Sequence, residues 1–236
     1  MHSNRRCSNY MCGRFIQISN PEKIKVSITD LEIDISVREK FKQHYNIAPT
    51  QNILTVLNTT PPKLTFTHWG LIPFWAKDKK IGYKMINARA ETLATKSSFR
   101  EPLKKRRCIV FSDGFYEWKT IDKSKTPYFI HMKDKEPFAF ACLWDHWTDK
   151  ETGETINSST IITTDANPLV GELHNRMPVI LEPDHYQVWL SSDPVPQQIL
   201  FECLHPYPPE KMEIYEISKL VNSPRNDSPE IINPVC

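Results

Sequence analysis

Four short segments are dense in side chains that can react or hold a reacting group: MCGRF at 11–15, NARAE at 87–91, DGFYEW at 113–118 and HNRMPVIL at 174–181. Cys12 follows an internal methionine, and a methionine before a small residue is readily removed from a nascent chain. If Met11 is the true start, the mature chain begins with a 1,2-aminothiol, an α-amine and a thiol on one residue. Such an amine titrates near 7.7–8.0, against about 10.4 for lysine, so roughly a tenth of it is free base at neutral pH and it condenses readily with an aldehyde. The thiol then lies close to the imine carbon and can close a thiazolidine ring, an intramolecular step with a high effective molarity. A lone cysteine within a strand is otherwise a small buried hydrophobe.

Glu117 sits between Tyr116 and Trp118 in a run with strand character, where alternation sends Phe115, Glu117 and Lys119 to one face and the two aromatics to the other. A partly dry surrounding raises a carboxyl pKa and lets it exchange protons near pH 7, although a surface Glu paired with a Lys fits the same residues. His174 enters a loop before the apolar VIL, and its imidazole can be acid or base near neutrality or simply structural. Asn87 can orient a reacting group or cap a turn. Around these lie Trp69 and Trp75 in HWGLIPFW, the arginines 14, 89 and 100, and a run from Lys96 to Arg107 with six basic residues and one acidic. Flat aromatics stack on unpaired bases and arginines fork onto phosphates, the recipe for single-strand binding; a basic run alone is equally a solvated face.

These residues need a frame, and the β-branched and aromatic stretches predict one made mostly of strands: 15–18, 53–57, 64–69, 108–111, 128–132, 138–147 and 160–163. Helices are expected at 36–44, 90–99, 168–174 and 183–190, the last with Pro183 in its first turn. No strand–helix–strand rhythm appears. The expectation is an α+β fold with a mainly antiparallel, barrel-like core and short helices outside it. No linker or repeat divides the chain, so one domain is expected over 11–222, with residues 1–10 an extension and 223–236 a polar, proline-bearing tail.

A chain of 236 residues, 39% hydrophobic and 25% charged, has room for a real core and the composition of an ordinary globular protein. Its longest apolar run, Phe138 to Trp144, falls far short of the roughly twenty residues of a membrane span. The start carries arginines with no apolar stretch behind them, so no secretory signal is read and the cytoplasm is expected. The six cysteines are scattered and read as free thiols. There is no CxxC or HExxH, so no metal is expected; six glycines are too few for a phosphate-cradling loop, and no cofactor is expected.

Taken in order, these segments resemble the SRAP family, the SOS-response-associated peptidases that shield abasic sites in single-stranded DNA. The resemblance runs from Met11 to about Pro229 through MCGRF, NIAPTQ at 46–51, WGLIPFWAKD at 69–78, INARAET at 86–92, FREPLKKRRCIVFSDGFYEW at 99–118, IITT at 161–164, HNRMPVIL and VNSPRNDSPE at 221–230. It implies a β-barrel-like core, a positively charged single-strand channel and a covalent thiazolidine between Cys12 and the ring-opened abasic sugar. By the same resemblance Asn87 positions the reacting groups, Glu117 shuttles protons and His174 helps to open the deoxyribose ring. The strand would be held by Arg14, Asn46, Pro49, Trp69, Trp75, Arg89, Lys96, Arg100 and Trp118. The implied protein is a monomer that removes the residues before Cys12 from itself. Whether strand cleavage of the lyase type accompanies capture stays open.

Two departures stand out. Ten residues precede Met11, and an acylated Cys12 nitrogen forms no imine, so they are a misassigned start, a tag or a cleaved segment; the first is favoured because MHSNRRCSNY has no pattern of its own. Asn175 and Ser97 stand where the family commonly has Asp and Arg. Two rival readings are an N-terminal-nucleophile amidohydrolase, which shares only the Met-Cys-Gly start, and a single-strand-binding module with no chemistry.

Overall fold

The computed structural model describes residues 12–122 and 124–235, so the 1–10 extension lies outside the described residues. Five strands close into a ring: Thr155–Asp165, Phe138–Thr148, Arg107–Ser112, Asn52–Leu57 and Lys63–Trp69 pair in that order, and Lys63–Trp69 returns to Thr155–Asp165 in parallel at His68↔Ser158. All the other pairings around the ring are antiparallel. A second, five-stranded antiparallel sheet runs in the order Met212–Glu216, Ser124–Met132, Gly114–Ile121, Phe15–Gln17 and His44–Ile47. With short helices around them, these sheets make the expected α+β, barrel-like fold.

Alternation along the ring strands divides the core in two. Leu54, Val56, Ile109, Phe111, Ala139, Ala141 and Leu143 pack with Ile24, Val37, Phe99, Leu103 and Trp189 of the surrounding helices. Their neighbours Ile53, Leu57, Cys108, Val110, Phe140 and Cys142 instead join Cys12 and, from the second sheet, Phe15, Phe115 and Ile130. Gln17 stitches the two layers: its amide donates to the carbonyls of Leu54 and Phe111 at 2.9 and 2.8 Å, and its oxygen accepts the Leu54 N–H at 3.0 Å. A buried amide with every partner supplied adds specificity that apolar packing lacks.

Several local expectations need correction. The helix expected over 36–44 is shorter, Ile35–Lys40, started by the Asp34 side chain, and His44–Ile47 is a strand because Phe15–Gln17 offers it an edge. The helix expected over 90–99 is a 3-10 turn, Ala90–Thr92, followed by Ser97–Lys105, whose last turn holds Lys104 and Lys105 where the helix dipole favours cations. The C-terminal stretch expected to be a tail is docked. Ile231 is buried, Tyr215 donates to the Ile232 carbonyl at 2.8 Å and Ile217 bridges to Pro234. Asp227 accepts the Tyr45 N–H and the Asn226 side chain donates to the Leu220 carbonyl, which is why polarity alone misreads it.

Candidate functional site

Strand Gly114–Ile121 sorts its side chains as alternation requires. Phe115 lies in the cluster with Cys12, whereas Tyr116 and Trp118 pack with Phe129, Ile217 and Val221 on the opposite face. Glu117 shares the Phe115 side and is 4% exposed. Cys12 is wholly buried, with φ of +43° in the left-handed region that costs a residue with a Cβ. In that conformation its backbone N–H donates to Glu117 Oε1 at 2.7 Å.

Burial dominates the electrostatics of both groups. It raises the Glu117 carboxyl to about 7, against the lowering pull of the Cys12 and Trp118 N–H groups and of Lys125. It also pushes the Cys12 thiol well above its ordinary value, with Glu117 and Cys142 acting in the same direction. At neutral pH the thiol is therefore protonated, and the carboxyl is divided between acid and base.

His174 follows the 3-10 turn Val170–Glu172 and donates its own N–H to the Val170 carbonyl at 3.0 Å. Its Nδ1 accepts the Arg176 N–H at 3.1 Å, so the proton of the neutral ring resides on Nε2. Desolvation lowers its pKa, and the charges of Lys125 and Arg176 add to that, against the Arg176 N–H bond; the ring is neutral at pH 7. Asn87 begins the strand Asn87–Arg89, parallel to Thr155–Asp165 with Ile161 as its partner. Ile86 and Ile161 on one side, and Val170 and Leu173 on the other, belong to the apolar cluster that contains Cys12. Neighbours of Asn87, Glu117 and His174 thus share one apolar cluster with Cys12.

The candidate strand-binding residues divide into two groups. Arg89, Lys96 and Arg100 are exposed, and Trp75 is 47% exposed beside Phe74 at 56%. This aromatic pair sits on an anchored segment: Ile72 N–H bonds to Ser158 Oγ, Phe74 N–H to Asp145 Oδ2, and Trp147 Nε1 to the Ala76 carbonyl. Gly70, at φ of +136°, lets the segment leave the ring in close contact with Gly82, whose carbonyl oxygen would meet any added Cβ at 2.6 Å. Pro49 is half-buried in the turn after His44–Ile47.

Two expectations are corrected by burial. Trp69 has no exposed surface; it donates to the Ile86 carbonyl at 3.0 Å and meets Phe15 edge-on at 5.0 Å, so it braces the cluster and offers no face to a base. Asn46 is also buried, and its amide faces Arg14, Val221, Ser223 and Asn226. Trp118 is half-buried beneath Arg14, 5.8 Å from its ring.

Sequence reasoning passed over two residues. Lys125 acts on both Glu117 and His174, and nothing in a hairpin lysine signals that. Arg176 grips both oxygens of Glu91, donates to Asp165 at 2.7 Å and to the Thr163 carbonyl at 2.7 Å, and so ties the Asn87 segment to the His174 loop. Its place two residues after His174 was the available signal. Among the described residues no cluster of three or more His, Cys, Asp or Glu could hold a metal ion, and no helix is long and apolar enough to cross a membrane.

The model of the SOS response associated peptidase (SRAP) family matches residues 11–224. The abasic site processing protein YoqW of Bacillus subtilis is 48% identical over 225 residues, covering 94% of this chain and 99% of that protein. The abasic site processing protein HMCES of Gallus gallus is 36% identical over 190 residues, covering 71% of this chain and 56% of that one. A crystal structure of a Bacteroides thetaiotaomicron protein superposes with a TM-score of 0.85 at 30% identity, covering 95% of this chain and all of that one.

Proposed function

Since the chain belongs to the SOS response associated peptidase family, we propose that it processes abasic sites in single-stranded DNA by covalent capture at Cys12. The observation that carries this reading is the 2.7 Å bond from the Cys12 nitrogen to a buried Glu117 that titrates near 7. A carboxyl so placed can give a proton to that nitrogen or take one from it. The names of the relatives supply the substrate, DNA with an abasic site.

The first step frees the nitrogen. Water adds to the Met11 carbonyl, the Met11–Cys12 bond breaks, and Glu117 protonates the departing nitrogen as general acid. His174 then assists opening of the abasic sugar: its Nε2–H hydrogen-bonds the ring oxygen as the C1′–O4′ bond breaks, one water takes the proton of the anomeric hydroxyl and another delivers a proton to the ring oxygen, leaving the imidazole neutral and a free aldehyde at C1′. The Cys12 amine adds to that carbon. Loss of water, helped by a proton from Glu117, leaves the imine.

The thiol acts last. Protonated in its dry site, it is a poor nucleophile until Glu117, now a carboxylate, accepts its proton. Sulfur then bonds to C1′, and the net change is amine plus thiol plus aldehyde giving thiazolidine and one water. Asn87 holds the sugar from the cluster rim, Arg14, Arg89, Lys96 and Arg100 neutralise phosphates, and Phe74 and Trp75 stack on bases. The test is a gel of protein beginning at Cys12 with an abasic oligonucleotide: an adduct that survives denaturant is expected. Steady ammonia release from glutamine with no adduct would favour an amidohydrolase instead.

A further inference from the structure

We propose that Asn46 and the segment 221–227 form a clamp that positions Arg14 and Trp118, two residues after Cys12 and one after Glu117; the consequence for DNA rests on the function proposed above. Strand Phe15–Gln17, which leads out of Cys12, lies between His44–Ile47 and Gly114–Ile121. Segment 221–227 crosses all three strands and bonds to each or to its flank. On the first, Asp227 accepts the Tyr45 N–H at 2.5 Å and pairs with His44 Nδ1 at 2.7 Å. On the third, Trp118 Nε1 donates to Asn222 Oδ1 at 2.8 Å. At the middle strand, Arg14 Nη1 donates to the Val221 carbonyl at 2.7 Å.

Asn46 is the hub. Its Nδ2 donates to the carbonyls of Val221, Ser223 and Asn226 at 3.2, 3.0 and 2.6 Å, and its Oδ1 accepts Arg14 Nη1 at 2.6 Å. An amide so fully engaged has nothing left for a nucleic acid. Its effect falls on Arg14, whose guanidinium is pinned at Nη1 and packed over the Trp118 ring. Arg14 Nε is buried with no hydrogen-bond partner among the described residues. A buried donor without a partner is costly, and Nε lies on the guanidinium edge that forks onto a phosphate. The clamp thus spends Nη1 of Arg14 on the protein and fixes the guanidinium over Trp118, with Nε left buried and unpaired among the described residues. The VNSPRND stretch is the part of the chain that does this.

A double-mutant cycle separates positioning from direct contact. Asn222 is exposed, so Asn222→Ala leaves folding intact, whereas Asn46→Ala empties a buried hub and serves only where melting shows it folded. Binding to a single-stranded oligonucleotide carrying a tetrahydrofuran site, which has no aldehyde, is measured at fixed salt. Asn222→Ala is expected to weaken binding roughly three- to tenfold in the wild-type background and not at all in the combined Arg14→Ala and Trp118→Ala background, because Asn222 holds Trp118, over which Arg14 packs. The same loss in both backgrounds would mean that Asn222 touches DNA directly, and no loss in the wild type would mean that the clamp positions nothing; either result overturns the proposal. Crosslinking of wild-type protein to an aldehyde-bearing oligonucleotide is scored separately, so a failure of covalent capture is distinguished from a failure of the clamp.

Discussion

Glu117 Oε1 receives the Cys12 N–H although 105 residues separate the two in the chain. The acid is thereby fixed on the one nitrogen that both proposed reactions need, as leaving group in cleavage and as nucleophile in condensation. A single proton carrier serves both because the atom is the same.

Replacing the sulfur separates the two halves of capture. Cys12→Ser keeps the amine but offers a far weaker ring-closing nucleophile. The expected product is an imine, seen on a denaturing gel after borohydride reduction and lost without it, while the wild-type adduct persists untreated. A Cys12→Ser adduct that is stable without reductant would remove the thiol from the scheme.

Glu117→Gln is expected to slow crosslinking by about a hundredfold or more, as loss of a general acid does, and to abolish the bend in the rate profile near pH 7. Stability moves with the same group. Its pKa in the folded protein is raised from 4.5 to about 7, so the folded state keeps a proton that the unfolded chain has released between those values. That contribution is complete below pH 4.5 and is lost as pH rises through 7. Relative to Glu117→Gln, the wild type should lose on the order of 3 kcal/mol between pH 4.5 and pH 8, at about 1.4 kcal/mol per unit. Urea titrations of both proteins at the two pH values test this, and parallel curves would refute it.

For His174→Ala the informative comparison is between aldehydes. If the imidazole only opens the sugar ring, the variant captures a cyclic abasic sugar about 100-fold more slowly yet captures an oligonucleotide with an acyclic aldehyde at the wild-type rate. Equal slowing with both would assign His174 to condensation.

The two tryptophans of HWGLIPFW should behave oppositely. Trp75→Ala should weaken single-strand binding by about 1–3 kcal/mol, the loss of one base stack, with unchanged melting. Trp69→Ala should cost about 3–5 kcal/mol of stability, as for a large core aromatic. Fluorescence anisotropy at fixed salt and thermal melts of both variants decide it.

What could be read from the chain follows the range of the interactions. The face of Glu117 was legible because alternation is a two-residue property, and Phe115 and Tyr116 pack on opposite sides as it requires. The depth of Trp69 was not, because burial depends on Phe15 and Ile86, which come from other segments. Asn46 was misread for the same reason: its partners lie 175 to 180 positions onward. Strand Met212–Glu216 carries an apolar alternation at Met212 and Ile214 that was overlooked, so its signal was present.

Closing the ring with a parallel pair, His68 to Ser158, also governs how the chain must be made. Lys63–Trp69 leaves the ribosome long before the strand that seals its open edge. Glu32–Ile33 covers Lys63 and Leu64 on that edge, but until residue 159 has emerged His68 and Trp69 present unpaired amides and carbonyls there, the situation in which nascent chains associate wrongly or recruit chaperones. Such non-local closure implies slow folding, and a fragment ending before Thr155 is left with an unsealed barrel.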